Sequence, residues 1–320
     1  MTFTELRYIV AVARERHFGR AAQACFVSQP TLSVGVRKLE EELGVQIFER
    51  QASEVSVTAA GQAIIEQAQR VLEESEKIKT LAQHGQNQLV GELKLGAIYT
   101  VGPYLLPHIV PKLRRLAPEM PLLIEENYTA RLAEQLKRGD LDVIIISLPF
   151  NHPGVTTWPL YEEPFVVLLP PGHALQQKKS IRSRELAREN MLLLGSGHCF
   201  RDQVLEACPE CATENAGDGI RSSVQGSSLE TIRYMVSSGL GVTVLPATSL
   251  GTAQTPKRAN RLFIEKPFSG KTPQRIVALA WRSSFPRPEA IEVLRRAIME
   301  CHMRGVTYLD FEPPSEKFAQ

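Results

Sequence analysis

Apolar positions recur along this chain with two periods, and the change from one to the other divides it. Up to about residue 58 the period is helical. Leu6, Ile9, Val10 and Ala13 fall at i, i+3, i+4 and i+7, which predicts a first helix. Arg20 to Phe26, rich in alanine, predicts a short second helix that another can approach closely. A third runs from about Gln29 to Glu42, where Ser28 suits the N-cap and Pro30 the first turn. Leu32, Val36, Leu39 and Leu43 make its inner face; Thr31, Ser33, Val34, Arg37 and Lys38 make its outer face. Phe48 to Arg50 and Val55 to Thr58 then predict a two-stranded wing. From Thr58 to about Gln88 there is no proline, and Ile64, Val71 and Ile78 recur every seven residues beside Ala68 and Ala82. That spacing predicts one long helix with a coiled-coil-like seam, ending in a polar hinge over residues 84–88.

From Gly91 the pattern changes to apolar strands alternating with amphipathic helices. Strands are predicted at Leu93 to Ile98, Leu122 to Glu126, Val143 to Ile146, Phe165 to Leu169, Met191 to Leu194, Val242 to Leu245 and Arg275 to Trp281. Helices are predicted at Val101 to Leu116, Ala130 to Arg138, from Cys199, at Ser228 to Ser238 and at Arg287 to Arg304. Repeated βα units imply a mostly parallel sheet. The length suits two α/β subdomains, about 89–162 plus 267–304, and 163–266, flanking a crevice. Open α/β sheets bind ligands at the C-terminal ends of their strands. Thr100, Thr129 and His198-Cys199 each follow such a strand and are placed to converge there. The polar residues 305–320 predict a flexible tail.

The chain has 320 residues, a formal net charge of +2 and five cysteines. It lacks an apolar run long enough for a transmembrane helix, and its N-terminus lacks a basic region followed by an apolar one. Those absences predict a cytoplasmic protein whose cysteines are reduced at rest. An odd, scattered set is no structural disulfide framework, so any disulfide is expected to be transient. Overall charge neither favours nor excludes nucleic acid, but residues 1–38 hold six Lys/Arg against Glu5 and Glu15. With an outer face of residue types that reach phosphates and base edges, this is the pattern of a winged helix-turn-helix. A small helical bundle with no DNA role has the same helix pattern. The long helix, likewise, can hold two subunits together or pack within its own chain.

The richest chemistry lies between Gly195 and Cys208. Ser196 and Gly197 follow the apolar run at Met191, and Phe200, Val204 and Ala207 recur at helical spacing. Cys199 therefore sits at or near a helix N-terminus, where the dipole favours an anion; His198 and Arg201 would add to this. A thiolate is the form that attacks a peroxide O–O bond. Cys208 is nine residues further on. On one helix the two would be roughly 13 Å apart, and a disulfide needs Cα atoms within about 7 Å. Either a bond between them enforces a different local fold, or they are two unrelated small core residues.

Phe18-Gly19-Arg20-Ala21-Ala22, Val27-Ser28-Gln29-Pro30-Thr31-Leu32-Ser33 and Leu39-Glu40-Glu41-Glu42-Leu43-Gly44-Val45 resemble the DNA-binding domain of the LysR-type transcriptional regulators. Gly197-His198-Cys199-Phe200-Arg201-Asp202-Gln203 with Cys208, and Thr100-Val101-Gly102-Pro103-Tyr104-Leu105-Leu106-Pro107-His108, resemble the family's peroxide-sensing members. The resemblance covers nearly the whole chain, with Cys211 a departure. It implies a winged helix-turn-helix over 1–58, a linker and dimerisation helix over 59–88, and a periplasmic-binding-protein-like α/β regulatory domain of two subdomains over 89–304. It implies DNA contacts from Ser28, Gln29, Pro30, Thr31, Ser33, Arg37, Lys38 and Arg50, and a dimer seam of Ile64, Val71 and Ile78. It implies oxidation of Cys199 by hydrogen peroxide to a sulfenic acid that Cys208 captures, with Thr100, Thr129, His198 and Asp202 binding the peroxide. The implied partners are double-stranded promoter DNA, RNA polymerase, a reductant of the glutaredoxin or thioredoxin type, and further copies of the chain as a dimer of dimers. Neither cofactor nor metal is implied, and the protein is expected to be a regulator and not an enzyme. Three other readings stand beside this one: a small inducer bound between the subdomains, a thiol peroxidase, or zinc held by Cys208-Pro209-Glu210-Cys211 with His198 or Cys199.

Overall fold

The first helix, α1 (Phe3–Glu15), starts where Thr2 can cap it. Glu5 N–H donates to Thr2 Oγ1 (3.2 Å) and Thr2 N–H to Glu5 Oε2 (2.7 Å). The computed structural model describes residues 1–50, 55–84, 87–214, 225–226, 228–251 and 262–310. The chain divides into two compact units: Met1–Val90 with Lys137–Asp140 and Ser284–Pro288, and the remainder from Gly91.

In the first unit, α2 (Phe18–Ala24) begins before its alanine run because His17 Nδ1 accepts from the N–H groups of Gly19 (3.0 Å) and Arg20 (3.2 Å). Helix α3 (Gln29–Leu43) is capped by Ser28, whose Oγ accepts from Thr31 N–H at 3.3 Å. Leu32, Val36 and Leu39 are fully buried. Leu43 is 38% exposed, so the inner face ends one turn earlier than its spacing predicts. Strands β1 (Phe48–Arg50) and β2 (Val55–Val57) form the wing, with Phe48 opposite Val57. Thr58 caps α4 (Ala59–His84), accepting from Gly61 N–H at 2.8 Å. Gly61 is where α4 passes so close to the Ile47 carbonyl that a Cβ would collide with it. Ile65 and Ala68 are buried in the unit's core, and Ile64 and Val71 lean against it. Of the predicted seam, Ile78 alone is largely exposed, at 70%. Hinge residues 85–86 lie outside the described residues.

The second unit contains β3 (Leu93–Ile98), α5 (Gly102–Leu116), β4 (Leu122–Asn127), α6 (Thr129–Arg138), β5 (Val143–Ser147), β6 (Val155–Leu169) and α7 (Ser183–Leu186). There follow β7 (Leu193–Leu194), α8 (Cys199–Ala207), α9 (Pro209–Glu214), β8 (Gln225–Gly226), α10 (Leu229–Ser237), β9 (Thr243–Pro246), β10 (Ile264–Lys266), β11 (Gln274–Arg282), α11 (Pro288–Met299) and β12 (Thr307–Tyr308). The main sheet has eight strands in the order β10-β6-β11-β5-β3-β4, with β9 and β12 also on β6. Among the described residues only β3–β4 and β3–β5 are parallel in it; β6 pairs antiparallel with β9, β10, β11 and β12, and β11 with β5. The expected mostly parallel sheet is thus corrected to a mixed one. The reason is β6, a 15-residue strand whose first ten residues are interrupted by Pro159 and Pro164 and so lack a strand-like pattern. The chain crosses from one part of the sheet to the other on β6 and returns on β11.

Helix α11 stops at Met299, short of Arg304. The chain beyond it is not a free tail at once: β12 pairs with β6, Tyr308 opposite Tyr161, and Tyr308 Oη donates to the Cys301 carbonyl. Leu95, Ile109, Leu132, Ile145 and Leu294 are fully buried. Phe165, Leu192, Phe200, Val204, Leu229, Ile232 and Val244 form one cluster beneath α8 and α10.

Candidate functional site

Cys199 is the first residue of α8, half-buried, and His198 is its N-cap. The turn before it needs Gly197, which has φ 96° and lies where a Cβ would come 3.3 Å from the Tyr128 ring. His198 is only 5% exposed. Its ring packs on Tyr128 (centroids 4.7 Å) and Tyr99 (5.9 Å), which pack edge to face on each other at 5.3 Å. Those tyrosines immediately precede Thr100 and Thr129, at the C-terminal ends of β3 and β4, adjacent parallel strands with Ile98 beside Asn127. The structure therefore brings three of the four expected pocket residues to one sheet edge. Thr129 Oγ1 is buried with no hydrogen-bond partner among the described residues. Asp202 is exposed in the first turn of α8, three residues after Cys199 and so on the same side of the helix. Arg201 Nη1 donates to the Leu194 carbonyl at 3.1 Å.

Thr100 is fixed from below by a buried charge network. Arg275 Nη1 donates to Thr100 Oγ1 (2.8 Å) and Nη2 to its carbonyl (2.9 Å). Arg275 Nε donates to Glu163 Oε2 at 2.7 Å, both side chains being 0% exposed. Glu163 Oε1 accepts in turn from the Thr248 N–H (3.0 Å) and from its hydroxyl. The Arg275 guanidinium lies 5.2 Å over the ring of Phe200, the residue after Cys199.

Cys208 is the C-cap of α8 and fully buried. All five cysteines are thiols. The helix between Cys199 and Cys208 is continuous, so at about 1.5 Å per residue it holds the pair well beyond disulfide reach. Hydrogen bonding with Cys211, and then burial, push the Cys208 thiol well above the ordinary thiol range. Cys301 is buried, its thiol directed at the Ala297 carbonyl (3.2 Å), and Cys25 is half-buried. Among the described residues no three His, Cys, Asp or Glu side chains converge as a metal-binding set.

On α3, Gln29, Pro30, Thr31, Val34, Arg37 and Lys38 are exposed and Ser33 is half-buried. Ser28 is also exposed, but its hydroxyl is engaged with Thr31 Oγ1 (2.7 Å), so both serve the cap. Lys38 reaches back to Glu5 at 3.3 Å. The side chain of Arg50 lies outside the described residues.

Residues 3–62 match the family described as bacterial regulatory helix-turn-helix protein, lysR family, and residues 86–301 match the LysR substrate binding domain. The chain belongs to the LysR family. It is a LysR-type DNA-binding transcriptional regulator, and α3 is the second helix of its helix-turn-helix. It is similar to the DNA-binding transcriptional dual regulator OxyR of Escherichia coli, with 38% identity covering 93% of this chain and 95% of that one. It is similar also to the hydrogen peroxide-inducible genes activator of Pectobacterium carotovorum, with 38% identity over 95% of this chain and 98% of that one. Among solved structures, a full-length OxyR variant from Pseudomonas aeruginosa is 55% identical with a TM-score of 0.76, covering 94% and 99% of the two chains. An H2O2-bound mutant of Corynebacterium glutamicum OxyR is 31% identical with a TM-score of 0.61, covering 93% and 91%.

Four residues of this regulator escape sequence reasoning. Arg275 and Glu163 sit inside strands, where a charged residue reads as solvent-facing. Tyr99 and Tyr128 carried a usable signal, because each forms a Tyr-Thr pair at the end of a predicted strand. Phe26 is a further surprise: it is 96% exposed at φ 56°, in the turn between α2 and α3.

Proposed function

We propose that this regulator responds to hydrogen peroxide through Cys199 and passes the response to its DNA-binding unit. The observation that carries the reading is the placement of Cys199: first residue of α8, beside a histidine packed on the tyrosines that precede Thr100 and Thr129. Curated relatives are named as hydrogen peroxide-inducible activators, and one structural relative binds H2O2, which supports it. Thr100, Thr129 and His198 hydrogen-bond the two oxygens and hold the O–O bond in line with the sulfur. The Cys199 sulfur attacks one oxygen, the O–O bond breaks, and the leaving hydroxide takes a proton to become water. The sulfenic acid on Cys199 is then attacked by the Cys208 thiol, and a second water leaves as the disulfide forms. Because α8 holds the two cysteines apart, capture requires α8 to open first.

Ser28, Gln29, Pro30, Thr31, Ser33, Arg37, Lys38 and Arg50 face promoter DNA in this reading, where RNA polymerase is engaged. A glutaredoxin- or thioredoxin-type thiol resets the switch in the cytoplasm. Two chains meet through α4 and two dimers make the tetramer; Ile78, the exposed seam residue, is the one to test. Ile78→Glu is expected to lower the sedimentation mass and leave the fold intact; an unchanged mass would remove α4 from the interface. The sensing step is tested by thiol mapping after one equivalent of peroxide. Cys199→Ser abolishes every peroxide-induced bond, and Cys208→Ser stalls at the sulfenic acid. Peroxide-induced disulfides persisting in Cys199→Ser would overturn the assignment.

A further inference from the structure

The third cysteine near the switch has its own geometry. Cys208 and Cys211 are 0% and 1% exposed and lie in the same core cluster, across the junction of α8 and α9. Cys211 N–H donates to the Cys208 carbonyl at 2.9 Å, closing an i to i+3 turn. Such a turn keeps its end Cα atoms under about 7 Å, inside the window for a disulfide. Both side chains are buried in the same cluster, with no other element between them in the chain.

The two possible disulfides of Cys208 therefore place opposite demands on the fold. A bond to Cys199 requires α8 to open and withdraws Phe200 and Val204, 2% and 1% exposed, from the core. A bond to Cys211 requires no more than the turn already present. With only two residues between them, Cys208 and Cys211 also stay close while α8 is open.

We infer that Cys211 is a second resolving thiol, which takes over Cys208 and returns Cys199 to its reduced form. This rests on the peroxide reading above. The Cys211 sulfur attacks the Cys208 sulfur of the Cys199–Cys208 disulfide. The Cys208–Cys211 bond forms, the Cys199–Cys208 bond breaks, and Cys199 leaves as a thiolate that takes up the proton lost by Cys211. No further oxidant or reductant is needed. The two electrons given to peroxide end as a CxxC disulfide, which is reducible by an external dithiol, and α8 can refold with Cys199 ready for another peroxide. The signal would then decay with its own clock.

The test is time-resolved differential alkylation and mass spectrometry of the full-length protein after one equivalent of hydrogen peroxide. In the natural sequence the Cys199–Cys208 bond should rise and fall, the Cys208–Cys211 bond should replace it, and Cys199 should become alkylatable again. In Cys211→Ser, and in Cys211→Ala should serine disturb the apolar site, the Cys199–Cys208 bond should persist. In Cys199→Ser no Cys208–Cys211 bond should form. Equal lifetimes of the first bond with and without Cys211 would overturn the exchange and leave the peroxide reading standing. A Cys208–Cys211 bond formed in Cys199→Ser would also overturn it. Cys199 unmodified in every form would overturn both.

Discussion

Helices α3 and α8 each open on residues that the proposed function uses, yet they are held very differently. Helix α3 has 15 residues, a side-chain cap from Ser28, a proline in its first turn and Gly44 at its end in the left-handed region, at φ 66°. Three leucine or valine side chains anchor it at 0% exposure. Helix α8 has nine residues, no side-chain cap at His198 and no basic residue in its last turn, where Glu206 faces the negative end of the dipole. Only Phe200 and Val204 anchor its middle. A helix that short gains little from its own propensity and depends on packing. In the proposed mechanism one helix stays in place against DNA and the other comes apart. The ends of α8 carry little to hold them, while Thr100 is held by a buried, fully bonded ion pair.

The largest expected effect tests that floor. Glu163→Gln or Arg275→Met leaves the other charge buried without its partner, which costs about 3–5 kcal/mol. Urea unfolding of the regulatory region should show it, and a loss under 1 kcal/mol would mean that the network is not holding the sheet together.

Next comes the separation of the two helices' roles. Arg37→Ala should weaken operator binding by about 1–3 kcal/mol in a gel-shift titration at fixed salt. It should leave the rate of Cys199 oxidation unchanged, whereas Cys199→Ser should leave the reduced protein's DNA affinity unchanged. Equal effects of both substitutions on both assays would erase the distinction. The contrast in capping is smaller: Ser28→Ala should cost about 1 kcal/mol of stability in the DNA-binding unit, read by thermal melting. Smallest is the dipole. Glu206→Lys should stabilise closed α8 by about 0.3–1 kcal/mol and slow disulfide closure roughly two- to five-fold in quenched-flow mapping. Faster closure would show that α8 need not open.

The same contrast explains what the chain reveals before it is folded. Elements of the first unit announce themselves, because Ser28, Pro30 and Gly44 punctuate α3 and the leucines repeat at its period. His17 as a cap was hidden, since histidine is not among the residues that usually fill that role. In the second unit, β3, β5 and β11 were legible as apolar runs. Strand β6 was legible only over Phe165 to Leu169, for Pro159, Glu162, Glu163 and Pro164 break the pattern of its first ten residues; with them went the antiparallel half of the sheet. Cys199, Cys208, Thr100, Thr129 and His198 could be named from spacing and resemblance. Arg275 and Glu163 could not, because a buried ion pair joins residues 112 positions apart and leaves no local trace. The β12 pairing was masked by the polarity of the segment around it.

The central claim is that α8 opens when Cys199 is captured by Cys208 while α3 does not change. Peptide-resolved hydrogen exchange on Cys211→Ala, in which the first disulfide is held, tests it directly. In the reduced protein the amides of 203–208 should be protected. After one equivalent of peroxide that protection should be lost, with α3 unaltered, and Cys199→Ser should show no change. Undiminished protection across α8, in protein whose mass spectrum carries the Cys199–Cys208 bond, would contradict the account.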